Sequence, residues 1–485
     1  MHIKKVIRLL AFIELFIAFL MLAPIYVGLH FEETTAVRAF LITEALIIII
    51  NLPLAILLKN ESLATISQRD GFLFTTLTWV VSTGFGALPL ILSGNFTSYS
   101  KAYFEIMSGF TTTGATTLSN IEACFKSILF WRSMTNWLGG MGIVVLFVAF
   151  LPALGAGAGS FHLMGAESVG PVKGKLTPKT RTTAILLWGI YLGFSILQVF
   201  FLRLGNLSLY DAVTVTFSTM SAAGFCVKNA SIGAFNSAYV DVVVTAFMII
   251  AGTNFSLYYR AFTGHLKESL SDSELRWYFS IFALATFLGA IFLNFKDVYS
   301  FPTALRYMAF HVASILTTTG FSTTNYLNWP SFTIVLLVLT MFIGGCAGSA
   351  GGGIKVVRIS AMLKAGNQNI RQKIHPSGVY QIRNNSGPID SKTISSIFAF
   401  FAIYIFTWLL GAVIISLSGA DVATCLSTSI LTLGNIGIGF TSIGVQESFS
   451  VLPTWTMWVY SFLMLAGRLE LFTVYVLFSR AFWKR

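Results

Sequence analysis

The chain has 485 residues, 55% hydrophobic, 15% aromatic and only 10% charged, with a formal net charge of +12. That balance excludes a water-soluble globular domain, because apolar runs reach the roughly 20 residues that a bilayer-crossing helix needs. In such a chain a basic excess mainly orients the segments rather than binding nucleic acid. Cys124, Cys226, Cys346 and Cys425 lack CxxC spacing, which supports neither a zinc site nor a disulfide framework.

The first apolar run, Val6 to Leu29, is too long for a cleaved leader and lacks a small-residue cleavage site. With Val37 to Leu58 it predicts a two-helix hairpin over residues 1–70. A first unit (71–154) then opens with the span Gly71 to Leu92. It continues through a short helix, Ala102 to Phe110, and the loop FTTTGAT, and closes with the span Ile128 to Leu151. A Gly-rich and then basic linker (155–182) leads to a second unit (183–262), whose short helix Leu209 to Met220 precedes MSAAGFCV. After a linker at 263–276, a third unit (277–363) places Pro302 to Leu316 before LTTTGFST. A basic linker (364–392) precedes the fourth (393–485), in which Ala420 to Leu433 leads into LGNIGIGF and Trp455 to Phe482 reads as one last span. Counted in this way the chain crosses the bilayer ten times. The leading hairpin carries no glycine loop and stands outside the fourfold pattern.

The reference glycines of the loops, Gly114, Gly224, Gly320 and Gly437, stand 110, 96 and 117 residues apart. Glycine tolerates backbone dihedrals that side chains forbid, so it can aim successive carbonyls in one direction. At membrane depth such backbone must face water or protein. One loop would be as consistent with helix packing; four in the same context point to a ring of carbonyls that replaces an ion's hydration shell. The fold class expected is therefore an all-α polytopic membrane protein, with four pseudo-repeated helix–pore-helix–filter-loop–helix units around one central pore and an added N-terminal hairpin.

Each short helix directs the negative end of its dipole at the loop, which favours a cation. Glu105, Asp211 and Asp421 lie in or near the short helices; capping or pairing is the plain reading of the two aspartates, and drawing cations to the mouth a second. With no acidic side chain in the loops themselves, a monovalent cation held by carbonyls is expected rather than calcium.

Two further features interrupt the apolar pattern. GGCAGSAGGG (344–353) places six glycines at mid-span, where each costs roughly 1 kcal/mol of helix stability relative to Ala. It reads as an intramembrane gate loop formed by Gly344, Gly345, Gly348, Gly351, Gly352 and Gly353. Arg468 lies in the last span, 12 residues before Arg480, or about 18 Å along a helix. At that depth it faces the bundle interior and is expected to take part in gating, donating to loop carbonyls in a closed state. A pair with Glu470 is the alternative, disfavoured for neighbours two apart on a helix.

Together FTTTGAT, its three partner loops, NWLGGMGIVV (136–145), GGCAGSAGGGIK and LMLAGRLELFT (463–473) resemble the TrkH/KtrB/HKT superfamily of potassium transporters, closest to its bacterial TrkH branch. The resemblance covers nearly the whole chain. It implies a single-chain version of a fourfold potassium channel, a homodimer, and a cytosolic nucleotide- and NAD-binding regulatory subunit of the TrkA type. The basic linkers are its natural docking surface, although solvated charge at a membrane edge explains them equally. It further implies a filter made of Thr111, Thr112, Thr113 and Gly114; Ser221, Ala222, Ala223 and Gly224; Thr317, Thr318, Thr319 and Gly320; and Gly434, Asn435, Ile436 and Gly437. Glycine at all four reference positions goes with potassium, and rubidium and caesium are expected to permeate too. The second and fourth loops depart from the threonine-rich pattern, so strictly fourfold carbonyl geometry is not expected.

Twenty-two of the 31 Lys and Arg residues fall at the termini and in the linkers after each unit. The positive-inside rule then puts both termini in the cytoplasm, at the inner membrane of a bacterium. A symporter coupled to protons or sodium is the alternative function; it would need a titratable relay along the spans, which the sequence lacks, since His162, His265 and His375 sit in linkers. A membrane enzyme would leave four glycine loops unexplained.

Overall fold

The structure is a computed structural model and describes residues 1–61, 66–142, 180–378, 380–384, 387–445 and 447–484. Its described residues are almost entirely helical, apart from a two-residue antiparallel pair, 383–384 with 387–388.

Helices α1 (Ile3–His30) and α2 (Thr34–Leu57) form the leading hairpin, and α1 packs on the first unit. That unit comprises α3 (Gln68–Gly86, extended by Leu88–Leu92), the short α4 (Tyr99–Phe110) and α5 (Lys126–Gly140). The second has α6 (Thr180–Leu204), short α7 (Leu209–Met220), α8 (Ala238–Ala251) and α9 (Phe255–Phe262). The third has α10 (Ser273–Phe295), short α11 (Phe301–Leu316), α12 (Ser331–Met341) and α13 (Val356–Ile374). The fourth has α14 (Ser391–Ser416), short α15 (Val422–Leu433) and α16 (Thr456–Arg468).

Starts and stops follow local chemistry. Asp421 caps α15 by accepting from the Thr424 amide at 3.1 Å, as the capping reading expects; α7 is capped instead by Ser208, which accepts from the Asp211 amide at 3.0 Å and donates its hydroxyl to the Asp211 carboxylate at 2.7 Å. The α5 helix has no side-chain cap of its own. Instead Glu33, in the turn between α1 and α2, accepts from the amides of Lys126 (2.6 Å) and Ser127 (2.9 Å) and from the Ser127 hydroxyl (2.6 Å). A carboxylate on these orphan amides neutralises the positive helix end and ties the hairpin to the first unit.

Six described helices are each long and apolar enough to cross a membrane, and two bent pairs would make eight. The bends correct the expected spans. Trp455 to Phe482 is not one helix: α16 stops at Arg468, Glu470 and Leu471 take left-handed φ of +54° and +55°, and the chain turns by 112° into 472–478. The 18 Å separation of Arg468 from Arg480 along a helix therefore does not exist, and Glu470 is not a helical neighbour of Arg468. In the second unit the chain bends by 91° between α8 and α9. Within the expected span Ile128 to Leu151 a helix runs to Gly140 and ends there, and residues 143–151, like most of the 155–182 linker and His162, lie outside the described residues. The helix that follows the loop in every unit, α5, α8, α12 or α16, thus ends at Gly140, Ala251, Met341 or Arg468.

Candidate functional site

All four short helices end in the same way. In the first loop the Thr112 amide donates to Gly109 O (3.0 Å) and the Thr113 amide to Ser108 O (2.8 Å). The second repeats this with Ala222 to Thr219 O (3.0 Å) and Ala223 to Ser218 O (2.9 Å). In the third, Thr318 donates to Ile315 O (3.1 Å) and Thr319 to Ser314 O (2.7 Å); in the fourth, Asn435 to Thr432 O (3.2 Å) and Ile436 to Leu431 O (2.9 Å). These are Schellman motifs, which require a left-handed residue just past the helix. Thr112, Ala222, Thr318 and Asn435 all take it, at φ between +53° and +61°. The fourfold backbone pattern is therefore kept where the side chains depart from threonine. It lapses at a different place: Gly114, Gly320 and Gly437 have φ near +80°, and Gly224 does not.

The loops form a closed ring. A Cβ on Gly114 would collide with Gly224, one on Gly224 with the Gly320 carbonyl, one on Gly320 with the Ile436 carbonyl, and one on Gly437 with the Thr113 carbonyl. Cyclic order 1–2–3–4–1 follows directly, and so does the need for glycine at these positions. Asn435 ties two of the loops together, donating to Thr113 Oγ1 (3.0 Å) and to Met464 O (2.9 Å).

The amides of each loop are spent on the helix end, while the carbonyls are not. Among the described residues no donor is hydrogen-bonded to the carbonyl of any of the sixteen loop residues 111–114, 221–224, 317–320 and 434–437. Fourteen of these residues are buried, and Gly114 and Gly224 are partly so. Buried carbonyls are almost always paired. The four loops thus leave sixteen backbone carbonyls without a donor among the described residues. No group of three His, Cys, Asp or Glu side chains that could hold a metal ion occurs among the described residues.

The glycine-rich segment 344–353 lies against one end of this ring. The Cys346 amide donates to Gly252 O (2.9 Å) and the Ala350 amide to Ala251 O (3.3 Å), both in the second unit. The Gly352 amide donates to Thr318 Oγ1 at 2.7 Å. Gly351 abuts the Thr317 carbonyl and Gly352 the Gly434 carbonyl, so closely that a Cβ would fit at neither. Gly344, Gly348 and Gly353 take φ between +74° and +82°, while Gly345 packs on Gly252. Arg468 completes the crossing: it donates to Ala350 O (2.8 Å), Gly139 O (2.5 Å) and Gly140 O (2.9 Å). Loop and arginine together touch all four units.

Several participants carry no signal in the sequence. Buried Lys355 donates to Gly351 O, and Glu274 accepts from the amides of Ala347 (2.6 Å), inside the loop, and Val357 (3.2 Å), just beyond it. Glu470, freed from the helix by the bend, pairs with Arg358 at 2.6 Å. His311, buried in α11, bonds the carbonyls of Tyr307 (2.8 Å) and Thr324 (3.3 Å), a role in packing the loop.

This combination of apolar spans, converging short helices and a desolvated carbonyl ring defines a multi-pass membrane protein built to pass cations. The sequence matches the TrkH family profile, described as a cation transport protein, over residues 38–485. It is 35% identical to the Trk system potassium uptake protein TrkH of Salmonella typhimurium over 490 residues, covering all of both chains. It is 36% identical to the TrkH of Halomonas elongata over 489 residues, again with full coverage. The crystal structure of the potassium transporter TrkH from Vibrio parahaemolyticus superposes with a TM-score of 0.89 at 32% identity, covering both chains fully. The chain belongs to the TrkH family of cation transport proteins, and it is a transporter rather than an enzyme.

Proposed function

We propose that the protein takes up potassium through the carbonyl ring, with the 344–353 loop and Arg468 as its gate. The observation that carries this reading is the set of sixteen buried, unpaired carbonyls in cyclic order. Carbonyl dipoles match a weakly hydrated monovalent ion, and the four short-helix C-termini add negative potential at the ring. Rubidium and caesium, close to potassium in size, permeate as well. The relatives are named as potassium uptake proteins, which supports the choice of ion.

In the closed arrangement the loop crosses the inner end of the ring, held by Arg468 and by the Thr318 hydroxyl. Opening requires these bonds to break and the glycine-rich backbone to swing aside, which its many small residues permit. A cytosolic nucleotide- and NAD-binding subunit of the TrkA type, docking on the basic linkers of a homodimer, supplies the driving energy. Both termini then face the cytoplasm, with the ring toward the outside of the inner membrane.

The test is cation flux by the purified full chain in liposomes. Potassium flux down its gradient, with sodium excluded and rubidium and caesium passed, is expected. Flux that requires a proton or sodium gradient would establish coupled symport instead.

A further inference from the structure

Position nine before each reference glycine is occupied by Glu105, Val215, His311 and Thr428. Only the first unit places a charge there. Glu105 is 0% exposed and pairs with Arg132 of α5, itself 1% exposed, with Arg132 Nη2 at 2.6 Å and Nε at 2.8 Å from Glu105 Oε1. The carboxylate also accepts from the Thr116 hydroxyl (2.7 Å), the Thr117 amide (2.8 Å) and the Thr117 hydroxyl (3.1 Å). Thr116 and Thr117 follow Gly114 as the chain leaves the ring. On its other side the Arg132 guanidinium lies 4.2 Å from the Phe225 ring, the residue directly after Gly224. One ion pair therefore grips the outgoing ends of two adjacent loops. The fourth unit is coupled to the same point, because the Phe449 amide donates to Thr116 O at 3.0 Å.

A buried ion pair is a poor source of stability in itself, since desolvation offsets its attraction. What it offers here is fixed geometry: a carboxylate whose two oxygens take three bonds from Thr116 and Thr117, held by a planar guanidinium that lies over Phe225. The pair is formally neutral, so it adds little net field at the axis and works by holding carbonyl positions. The equivalent sites hold their loops by weaker means. His311 reaches the Thr324 carbonyl at 3.3 Å without a charged partner, Thr428 accepts from Tyr460 at 3.0 Å, and Val215 is apolar.

We infer that Glu105 and Arg132 are positioning residues that set the discrimination of potassium from sodium by the first and second loops. The inference rests on the proposed carbonyl filter. Its test uses the full-length chain in liposomes, reading the K+/Na+ flux ratio and thermal unfolding together. Glu105→Gln, which keeps the shape, lowers the ratio about tenfold, comparable to losing one charge-assisted hydrogen bond. The double variant Glu105→Leu/Arg132→Met leaves no stranded charge, so it unfolds near the native temperature while its flux ratio stays low. Thr117→Val removes a single contact without stranding a charge and lowers the ratio about threefold. A native flux ratio in the stable double variant, or in Thr117→Val together with Glu105→Gln, would overturn the inference and leave the pair a structural element. Equal potassium and sodium flux through the unaltered protein would instead remove the filter reading itself, and the inference with it.

Discussion

The outer ends of the four loops and the inner ends of the four long helices obey opposite rules. At the ring, four segments with different side chains (TTTG, SAAG, TTTG, GNIG) adopt one backbone solution, a Schellman end with a left-handed second residue. At the inner ends the helices stop at matching places but continue differently. The first stops at Gly140, the second bends by 91° and the third opens into the glycine loop; the fourth turns by 112° after Arg468. An ion on an axis interacts with all four loops at once, so a backbone that differs in one unit weakens every coordination shell. A gate needs only one element that moves and something for it to be fastened to. Under the proposed filter and gate, the repeat is kept, apart from the φ of Gly224, where coordination would demand it and lost where switching would occur.

The comparison is broken most severely by removing a glycine from the ring. Gly437→Ala forces a left-handed alanine and drives its Cβ into the Thr113 carbonyl. With left-handed strain of about 1–3 kcal/mol added to a collision between backbones, potassium flux in liposomes is expected to fall about 100-fold or more. Gly193→Ala, where among the described residues nothing beyond its own helix backbone and chain neighbours lies within 4 Å of the new Cβ, is the control and leaves flux intact. Equal effects from the two substitutions would refute the close-packed ring.

Next in size is the fastening. Arg468→Ala removes charge-assisted bonds to Ala350, Gly139 and Gly140. Bonds to charged groups are worth about 1.5–3 kcal/mol each, so basal potassium flux without any partner is expected to rise about tenfold or more. Unchanged or reduced flux would show that Arg468 does not hold the closed state. Thr318→Val removes the acceptor for the Gly352 amide. One neutral bond of about 1 kcal/mol predicts a rise of about fivefold, smaller than for Arg468. A larger rise than in Arg468→Ala would place the main latch on the ring instead.

The regular half of this comparison was legible in the sequence, and the irregular half only in part. Loops after short helices announce themselves by spacing and by Gly114, Gly224, Gly320 and Gly437, because backbone that must be left-handed or close-packed selects glycine. The same logic exposed 344–353. Yet the turn after Arg468 is made by Glu470 and Leu471, whose left-handed φ no sequence pattern marks. Its cause is tertiary: the Glu470 carboxylate is drawn to Arg358, 112 residues away, and Gly467 packs against the Leu433 carbonyl. Arg132 was invisible for a related reason. A cation inside an apolar helix tells nothing of its partner until α4 and α5 are laid side by side.

The smallest expected effect lies outside both halves, in the hairpin. Glu33 reaches from the α1–α2 turn to the first amides of α5, and α5 ends at Gly139 and Gly140, whose carbonyls receive Arg468. The hairpin could therefore be a brace for the helix or a route to the gate, and Glu33→Gln separates these. Glutamine keeps one acceptor oxygen but sets an NH2 where the second oxygen accepts, and it removes the charge at the positive helix end, itself worth about 0.3–1 kcal/mol. As a brace, the variant is expected to unfold a few degrees below the unaltered protein, with basal potassium flux the same. A change in basal flux at unchanged stability would mean that α5 transmits to the Arg468 contact. The Arg468 contact would then be coupled to the hairpin turn through α5.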